Sequence, residues 1–230
     1  MINGQKRFIT NGSIADYLVV LARTESKKDI WSLGLFLVPG NTKGLKRNRL
    51  DTIGLKTGDT ASLVFNNCLI PRNNILGDTT KGFLYLLRGL QRERLLGAIA
   101  LNSLALSVWE ETLNFLKNRN RFGEPLIKKQ VISHRMVELR TTIEAARYFA
   151  YTTCSSFIRE EPVDQEVLML KLFCYENCQK VIEECIHLHG GEGFIADHWL
   201  SHAKQDSQAF TLAAGTSEII RDLLAGVLRF

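Results

Sequence analysis

The sequence predicts an α+β fold: an antiparallel β region, a partial β-barrel domain, over residues 1–77, followed over residues 78–230 by an up-down four-helix bundle with a short fifth helix at its end. Two observations carry this prediction. Up to Pro71 the apolar residues come in short runs rich in β-branched and aromatic types, bounded by turn residues. Beyond Asp78-Thr79 they recur at steps of three and four, the period of a helix buried on one face. A chain of 230 residues that is 45% hydrophobic and 23% charged has the composition of a folded protein, which excludes disordered, collagen-like and mucin-like classes.

In chain order, the candidate strands are Lys6–Thr10, Tyr17–Ala22, Leu33–Val38, a segment around Arg47–Ile53, and Ala61–Leu69. Asn11-Gly12-Ser13, Pro39-Gly40-Asn41 and Thr57-Gly58-Asp59 separate them, residues that accept turn geometry and, for Gly and Asn, positive φ. Gly82 to Lys117 reads as a long helix, apolar nearly all round between Leu95 and Val108, as a central bundle member must be. Next comes a seam of Ile132, Met136, Leu139, Ile143, Ala146, Ala150, Thr153 and Phe157. After the break at Glu161-Pro162, with Asp164 as the N-cap candidate, a second seam runs through Val167, Leu170, Cys174, Cys178, Val181, Cys185 and Leu188. Two further helices are expected from His198 to about Phe210 and from about Ser217 to Leu228.

The net charge of +5 is concentrated at one end: residues 1–60 hold ten Lys or Arg against five Asp or Glu, and the remainder holds nineteen of each. Aromatics do not interleave with that basic excess as a base-stacking surface requires, so no nucleic-acid partner is expected and a phosphate-bearing small ligand suits the charge equally well. The longest charge-free stretch, Leu95 to Trp109, is interrupted by Asn102 and Ser103 and falls short of the roughly 20 apolar residues of a bilayer crossing, so no membrane span is expected. The polar start, Met1 to Arg7, shows neither a secretory signal nor a transit peptide, and five irregularly spaced cysteines read as reduced packing residues. Both point to a cytoplasmic chain.

Several motifs are weighed by their context. Gly191-Glu192-Gly193-Phe194-Ile195-Ala196 fits the dinucleotide pattern G-x-G-x-x-[GA], but a helix precedes it where that motif requires a strand. No P-loop, G-x-S-x-G elbow or H-E-x-x-H occurs. His198 with His202, and Cys174 with Cys178, have i,i+4 spacing but no third ligand, so no metal is expected: the histidines read as surface groups and the thiols as core. Gln91-Arg92-Glu93-Arg94 interrupts an otherwise apolar helix. It reads either as a solvated stripe or as a carboxylate beside a guanidinium in an apolar pocket, the pairing from which a general base is made. The glycine-dense His187–Phe194 segment and Gly215-Thr216-Ser217 read either as ordinary helix caps or as bare backbone N–H groups offered to phosphate.

Taken together, Arg7-Phe8-Ile9-Thr10-Asn11-Gly12 with Asp16 to Val20, Glu93-Arg94-Leu95-Leu96, Arg119 to Leu126 followed by Gln130, Leu188 to Phe194, and Gly215 to Ile220 resemble the acyl-CoA dehydrogenases in order and spacing over essentially the whole chain. The resemblance implies a FAD enzyme of β-oxidation. A glutamate would take the α-proton of an acyl-CoA while the β-hydrogen leaves as hydride to the flavin, giving the trans-2-enoyl-CoA. It places Phe8 and Thr10 against the flavin ring. Arg119, Phe122 and Gln130, with His187, Leu188, His189, Gly190 and Gly191, would hold the adenine side of a FAD bound mainly to a neighbouring subunit. Thr216 and Glu218 would complete its phosphate and ribose end. Many members carry the base just before the Gly-Thr pair, where this sequence has Ala214. Long-chain and isovaleryl members carry it in a Glu-Arg pair on the first bundle helix, so Glu93 is the expected base and Arg94 its substrate-side neighbour. The resemblance further implies a homo-oligomer, a dimer of dimers, with an electron-transferring flavoprotein as acceptor. His187 stands where glutamine is common, and the sequence opens partway through the family's β domain, lacking its N-terminal helical domain. Two rival readings follow: a catalytically inactive fragment or assembly partner, and a dehydrogenase acting on acyl groups bound to a carrier protein.

Overall fold

The computed structural model describes residues 1–26 and 29–229. The chain divides into two compact units, Met1–Leu90 and Gln91–Phe230. In the first unit the strands are β1 (Ile2–Thr10), β2 (Tyr17–Arg23), β3 (Leu33–Pro39), β4 (Leu45–Arg49), β5 (Thr60–Cys68) and β6 (Ile75–Leu76). They form two antiparallel three-stranded sheets, ordered β1-β5-β4 and β2-β3-β6. Alternation decides which faces meet. Ala61, Leu63 and Phe65 of β5 point inward with Leu18 and Val20 of β2 and Val38 of β3, and this apolar cluster is the core of the unit.

The segment expected as a strand around Arg47–Ile53 begins earlier and ends at Arg49. The Leu50 N–H bond to the Thr60 carbonyl at 2.7 Å continues the register of Arg49 with Ala61 to the first residue of β5, and residues 51–59 become the connecting loop. β1 also runs further toward the N-terminus than Lys6, pairing Ile2 with Cys68 across register shifts that accommodate Gly4 and Phe8.

The helices are α1 (Gly82–Asn118), α2 (Gln130–Ile158), α3 (Asp164–His189), α4 (Trp199–Leu212) and α5 (Ser217–Leu228). A hairpin of β7 (Asn120–Arg121) and β8 (Glu124–Pro125) lies between α1 and α2, and a 3-10 turn, Gly190–Phe194, follows α3. In the second unit the two seams meet the apolar middle of α1. Leu101, Ala105 and Val108 pack with Met136, Leu139, Ile143 and Ala146 of α2 and with Leu170, Cys174, Cys178, Val181 and Cys185 of α3. Trp109 Nε1–H donates to the Met136 carbonyl at 2.8 Å, and Asn102 Nδ2 donates to the Ile143 carbonyl at 3.2 Å, tying α1 to α2 within this core. All five cysteines are free thiols. Asp164 is not the N-cap of α3: Val163 occupies that position, and Asp164 Oδ1 instead accepts from Gln91 Nε2 of α1 at 2.8 Å. Among the described residues no helix is long and apolar enough to cross a membrane.

Candidate functional site

The Glu93-Arg94 pair resolves the choice between solvated stripe and apolar pocket residue by residue. Arg92 and Glu93 are exposed, whereas Arg94 is buried, because successive helical positions turn by about 100° and only Arg94 shares the face of Leu95 and Ala98. Its Nε–H donates to the carbonyl of Ala214 at 3.0 Å. Burial lowers the Arg94 pKa, and Glu93 opposes that shift.

Opposite stands Lys171 of α3, only 2% exposed. Its ammonium donates to the carbonyl of Ala213 at 2.6 Å and to that of Gly215. Desolvation brings its pKa down to about 8; the neighbouring Arg94 lowers it too, and Glu93 opposes them. Tyr175, one turn further along α3, lies against Gly97, where any Cβ would run into its Oη. Burial pushes the Tyr175 phenol up to about 12, with Glu93 adding to the shift. Glu93, Arg94, Lys171, Tyr175 and the turn Ala213–Gly215 thus form one electrostatically coupled group. Sequence reasoning passed over Lys171 and Tyr175. The signal was a lone lysine in the apolar run Val167–Cys174, followed by Tyr175 four residues on, so that Leu168, Lys171 and Tyr175 make a second buried line beside the expected seam.

A second group gathers at the other end of the bundle. His189, buried at the end of α3, stacks on Phe115 at 4.1 Å between centroids and meets His198 edge-on at 5.4 Å. Its Nδ1 lies 2.8 Å from the Cys185 carbonyl, and burial is the main cause of its lowered pKa. The Arg119 guanidinium lies 5.3 Å from the Phe115 ring centroid. Phe115, Arg119, His189, His198 and Trp199 line a cleft of about 440 Å³. His198 is therefore more than a surface group: it is half-buried and caps α4, accepting from Leu200 N–H at 3.3 Å, while His202 is exposed. Among the described residues no group of three or more His, Cys, Asp or Glu could hold a metal ion.

Beside this cleft the β7–β8 hairpin turns through Phe122 (φ 54°) and Gly123 (φ 84°), the left-handed pair that a two-residue hairpin favours. The Phe122 ring is 91% exposed, with the Lys129 ammonium 6.0 Å from its centroid. Gln130 is exposed at the start of α2, His187 is exposed, and Leu188 is half-buried on the last turn of α3. A Cβ at Gly190 or Gly191 would meet nothing within 4 Å, so the backbone there lies open. At the opposite end, Thr216 caps α5 by accepting from Ile219 N–H at 3.5 Å. Glu218 follows in the first turn of α5, its pKa lowered by its own backbone N–H and by Thr216.

In the first unit Phe8 also has left-handed backbone, φ 60°, at the register shift of β1, and its ring is 68% exposed. Thr10 pairs with Thr60 at the strand's end. The turn that follows is latched by Asp59, whose carboxylate accepts from Ser13 N–H at 2.8 Å and from Ser13 Oγ–H at 2.5 Å. Phe8, Asn11 (φ 56°) and Phe122 are left-handed non-glycine residues within motifs singled out in the sequence, and Ala214 (φ 53°) immediately precedes another. Backbone held in such sparsely populated regions concentrates where function demands it.

The profile described as "Acyl-CoA dehydrogenase, C-terminal domain" matches residues 80–228, and "Acyl-CoA dehydrogenase, middle domain" matches residues 1–68. The chain belongs to the acyl-CoA dehydrogenase family. It is 35% identical to the mitochondrial long-chain specific acyl-CoA dehydrogenase of Mus musculus, over 98% of this chain and 53% of the relative. To the mitochondrial isovaleryl-CoA dehydrogenase of Oryza sativa subsp. japonica it is 29% identical, over 97% of this chain and 55% of the relative. Among solved structures, an acyl-CoA dehydrogenase from Geobacillus kaustophilus superimposes with a TM-score of 0.96 at 33% identity, covering 99% of this chain and 61% of that one. The chain spans about half the length of the curated relatives it matches.

Proposed function

We propose that this chain carries the base and much of the cofactor cradle of a flavin-dependent dehydrogenase that converts an acyl-CoA to its trans-2-enoyl-CoA, with Glu93 as the base. One observation carries the reading. The turn that holds a carboxylate in many relatives presents only the methyl group of Ala214, and that turn is hydrogen-bonded to Arg94, next in sequence to Glu93. Glu93 is thereby the carboxylate coupled to this cluster, and being exposed it is free to meet a ligand.

The residues present suit a dinucleotide flavin. Among the described residues the Arg119 guanidinium has a ring neighbour and no carboxylate partner, Phe122 offers an exposed ring, and Gly190-Gly191 leaves bare backbone. FAD, when bound, supplies the acceptor for the β-hydrogen. Glu93 takes the α-proton, and the electron pair of that C–H bond becomes the new α,β double bond as hydride leaves the β-carbon. Arg94 keeps a positive charge beside the carboxylate and holds the Ala214 turn in place. Arg119, with Phe122 and Gln130, binds the cofactor's adenine side, together with the His187–Gly191 segment. Thr216 and Glu218 bind its phosphate and ribose end, and Phe8 and Thr10 lie against the ring system.

Glu93 on α1 and Arg119, the residue just past its C-terminal end, are 26 positions apart, about 40 Å at 1.5 Å per residue, farther than one cofactor reaches. That distance supports self-association, a dimer of dimers in which each cofactor is held by residues of two copies. An electron-transferring flavoprotein as acceptor completes the reading, and five free thiols suit a reducing, cytoplasmic setting.

The test is visible absorbance of the purified chain after FAD is added and excess removed, followed by anaerobic mixing with acyl-CoA. Retained flavin that is bleached by substrate supports the proposal. Glu93→Gln should retain the flavin and bleach about 10²- to 10⁴-fold more slowly. Bleaching at the wild-type rate in that variant removes Glu93 from the base role.

A further inference from the structure

The loop between α4 and α5 presents three successive carbonyls, Ala213, Ala214 and Gly215, and each accepts a hydrogen bond from a buried cation: Lys171 holds the first and third, Arg94 the second. Between them the backbone is left-handed at two consecutive residues, Ala214 at φ 53° and Gly215 at φ 103°. For an L-residue such as Ala214 that conformation is unfavourable in an isolated peptide and persists only where its surroundings enforce it.

Lys171 is an unusual agent for this. Among the described residues its ammonium has no carboxylate within ion-pair distance, and Arg94 is a second cation close enough to depress its ionisation. Burying two neighbouring cations is costly, and capping the end of α4 accounts for only part of the arrangement. A lysine suits the carboxyl end of a helix because the last carbonyls carry partial negative charge. The Gly215 carbonyl, however, lies beyond α4, on the far side of the left-handed residue. Bonds on both sides of Ala214 fix its dihedral angles.

We propose that Lys171 is a positioning residue for the reaction: by bridging the Ala213 and Gly215 carbonyls it locks the left-handed turn at Ala214, and the locked turn holds Arg94 beside Glu93. The bearing on catalysis rests on Glu93 being the base. The locking itself does not, and the two parts fail separately.

Amide hydrogen exchange on Lys171→Met, Lys171→Arg and the double variant Lys171→Met/Ala214→Gly tests it. In Lys171→Met the hydrogen-bonded amides that bracket the turn, Ala213 (to the Ala209 carbonyl) and Ile220 (to the Thr216 carbonyl), should exchange about ten- to a hundredfold faster, the change in opening equilibrium expected when charge-assisted hydrogen bonds are lost. Amides in the middle of α1, α2 and α3 should keep their protection. Lys171→Arg, which retains the cation and its donors, should stay nearer to wild type. Glycine adopts the left-handed region without a clamp, so Ala214→Gly should restore protection in the Lys171→Met background. If Lys171→Met does not fold, folding of the double variant supports the lock, and failure of both overturns it. Unchanged exchange at Ala213 and Ile220 in a folded Lys171→Met, or loss spread evenly over the bundle, also overturns it. Should the local effect appear while Glu93→Gln retains wild-type flavin bleaching, the lock stands and the catalytic role of Glu93 falls.

Discussion

Raising the pH from 7 to 10 should destabilise this protein by an amount traceable to four side chains, three thiols and one lysine that opposes them. Cys174, Cys178 and Cys185 project from α3 into the core, and burial pushes their pKa values to about 12, about 12 and about 11. A thiol in the unfolded chain ionises near pH 8.5. The folded values are raised, so above that pH the unfolded chain loses its protons first. The stability these thiols support is complete below about pH 8.5 and falls as the pH climbs toward the folded values. At pH 10 each costs about 2 kcal/mol, the 1.5-unit distance from 8.5 at 1.36 kcal/mol per unit, or about 6 kcal/mol for three.

Lys171 acts in the opposite sense. Its folded pKa of about 8 lies below the unfolded value near 10.4, so its buried charge costs stability at neutral pH and that cost is relieved as the pH rises through this window, by about 2 to 3 kcal/mol at pH 10. The charged groups facing it are Arg94 and Glu93, with Tyr175 remaining protonated there. The net loss of about 3 to 4 kcal/mol is a large part of the 5–15 kcal/mol typical of a folded domain. Denaturant unfolding at pH 7 and pH 10 under reducing conditions measures it. Cys178→Ala should be less stable at both pH values because of the cavity, yet its loss between them should be smaller by about 2 kcal/mol. Equal stability of the wild type at the two pH values, or an undiminished pH dependence in the variant, refutes the reasoning.

Three further outcomes follow from the geometry. Phe122→Gly removes the left-handed penalty in the β7–β8 hairpin, about 1 kcal/mol, so thermal stability should hold or rise slightly while FAD retention falls. Thr216→Ala removes the cap of α5 and should cost about 1 kcal/mol in thermal or chemical unfolding. In that same variant the Glu218 carboxyl, held low partly by Thr216, should titrate closer to an ordinary glutamate, as carbon-13 NMR would record.

Periodicity carried much of the fold because burial in both units follows it. The inward residues of β2 and β5 alternate, and the α2 seam foreseen in the sequence is buried at Met136, Leu139, Ile143, Ala146, Ala150 and Thr153. What periodicity missed depended on partners distant in sequence. The strand near Arg47 ends where its partner β5 begins at Thr60, which leaves residues beyond Leu50 with no strand to pair with, and Asp164 yields the cap because Gln91 claims its carboxylate. At the candidate site, side-chain types were legible at Glu93, Arg94 and Arg119. The bond from Lys171 to a turn more than forty residues away was not, nor was the left-handed backbone at Phe8, Phe122 and Ala214. A dihedral angle imposed on an ordinary residue leaves no mark in composition, and the apolar run around Lys171 marks it as buried without saying which carbonyls it meets.

The hairpin that displays Phe122 has a consequence for affinity. With only two residues between paired strands, both confined to left-handed backbone, the segment has little conformational freedom left to lose, and its aromatic ring turns about only two side-chain bonds. A flat ligand that stacks on this ring therefore encounters a surface already ordered. Most of the interaction energy can appear as binding, where a flexible loop offering the same ring would spend part of it on its own ordering.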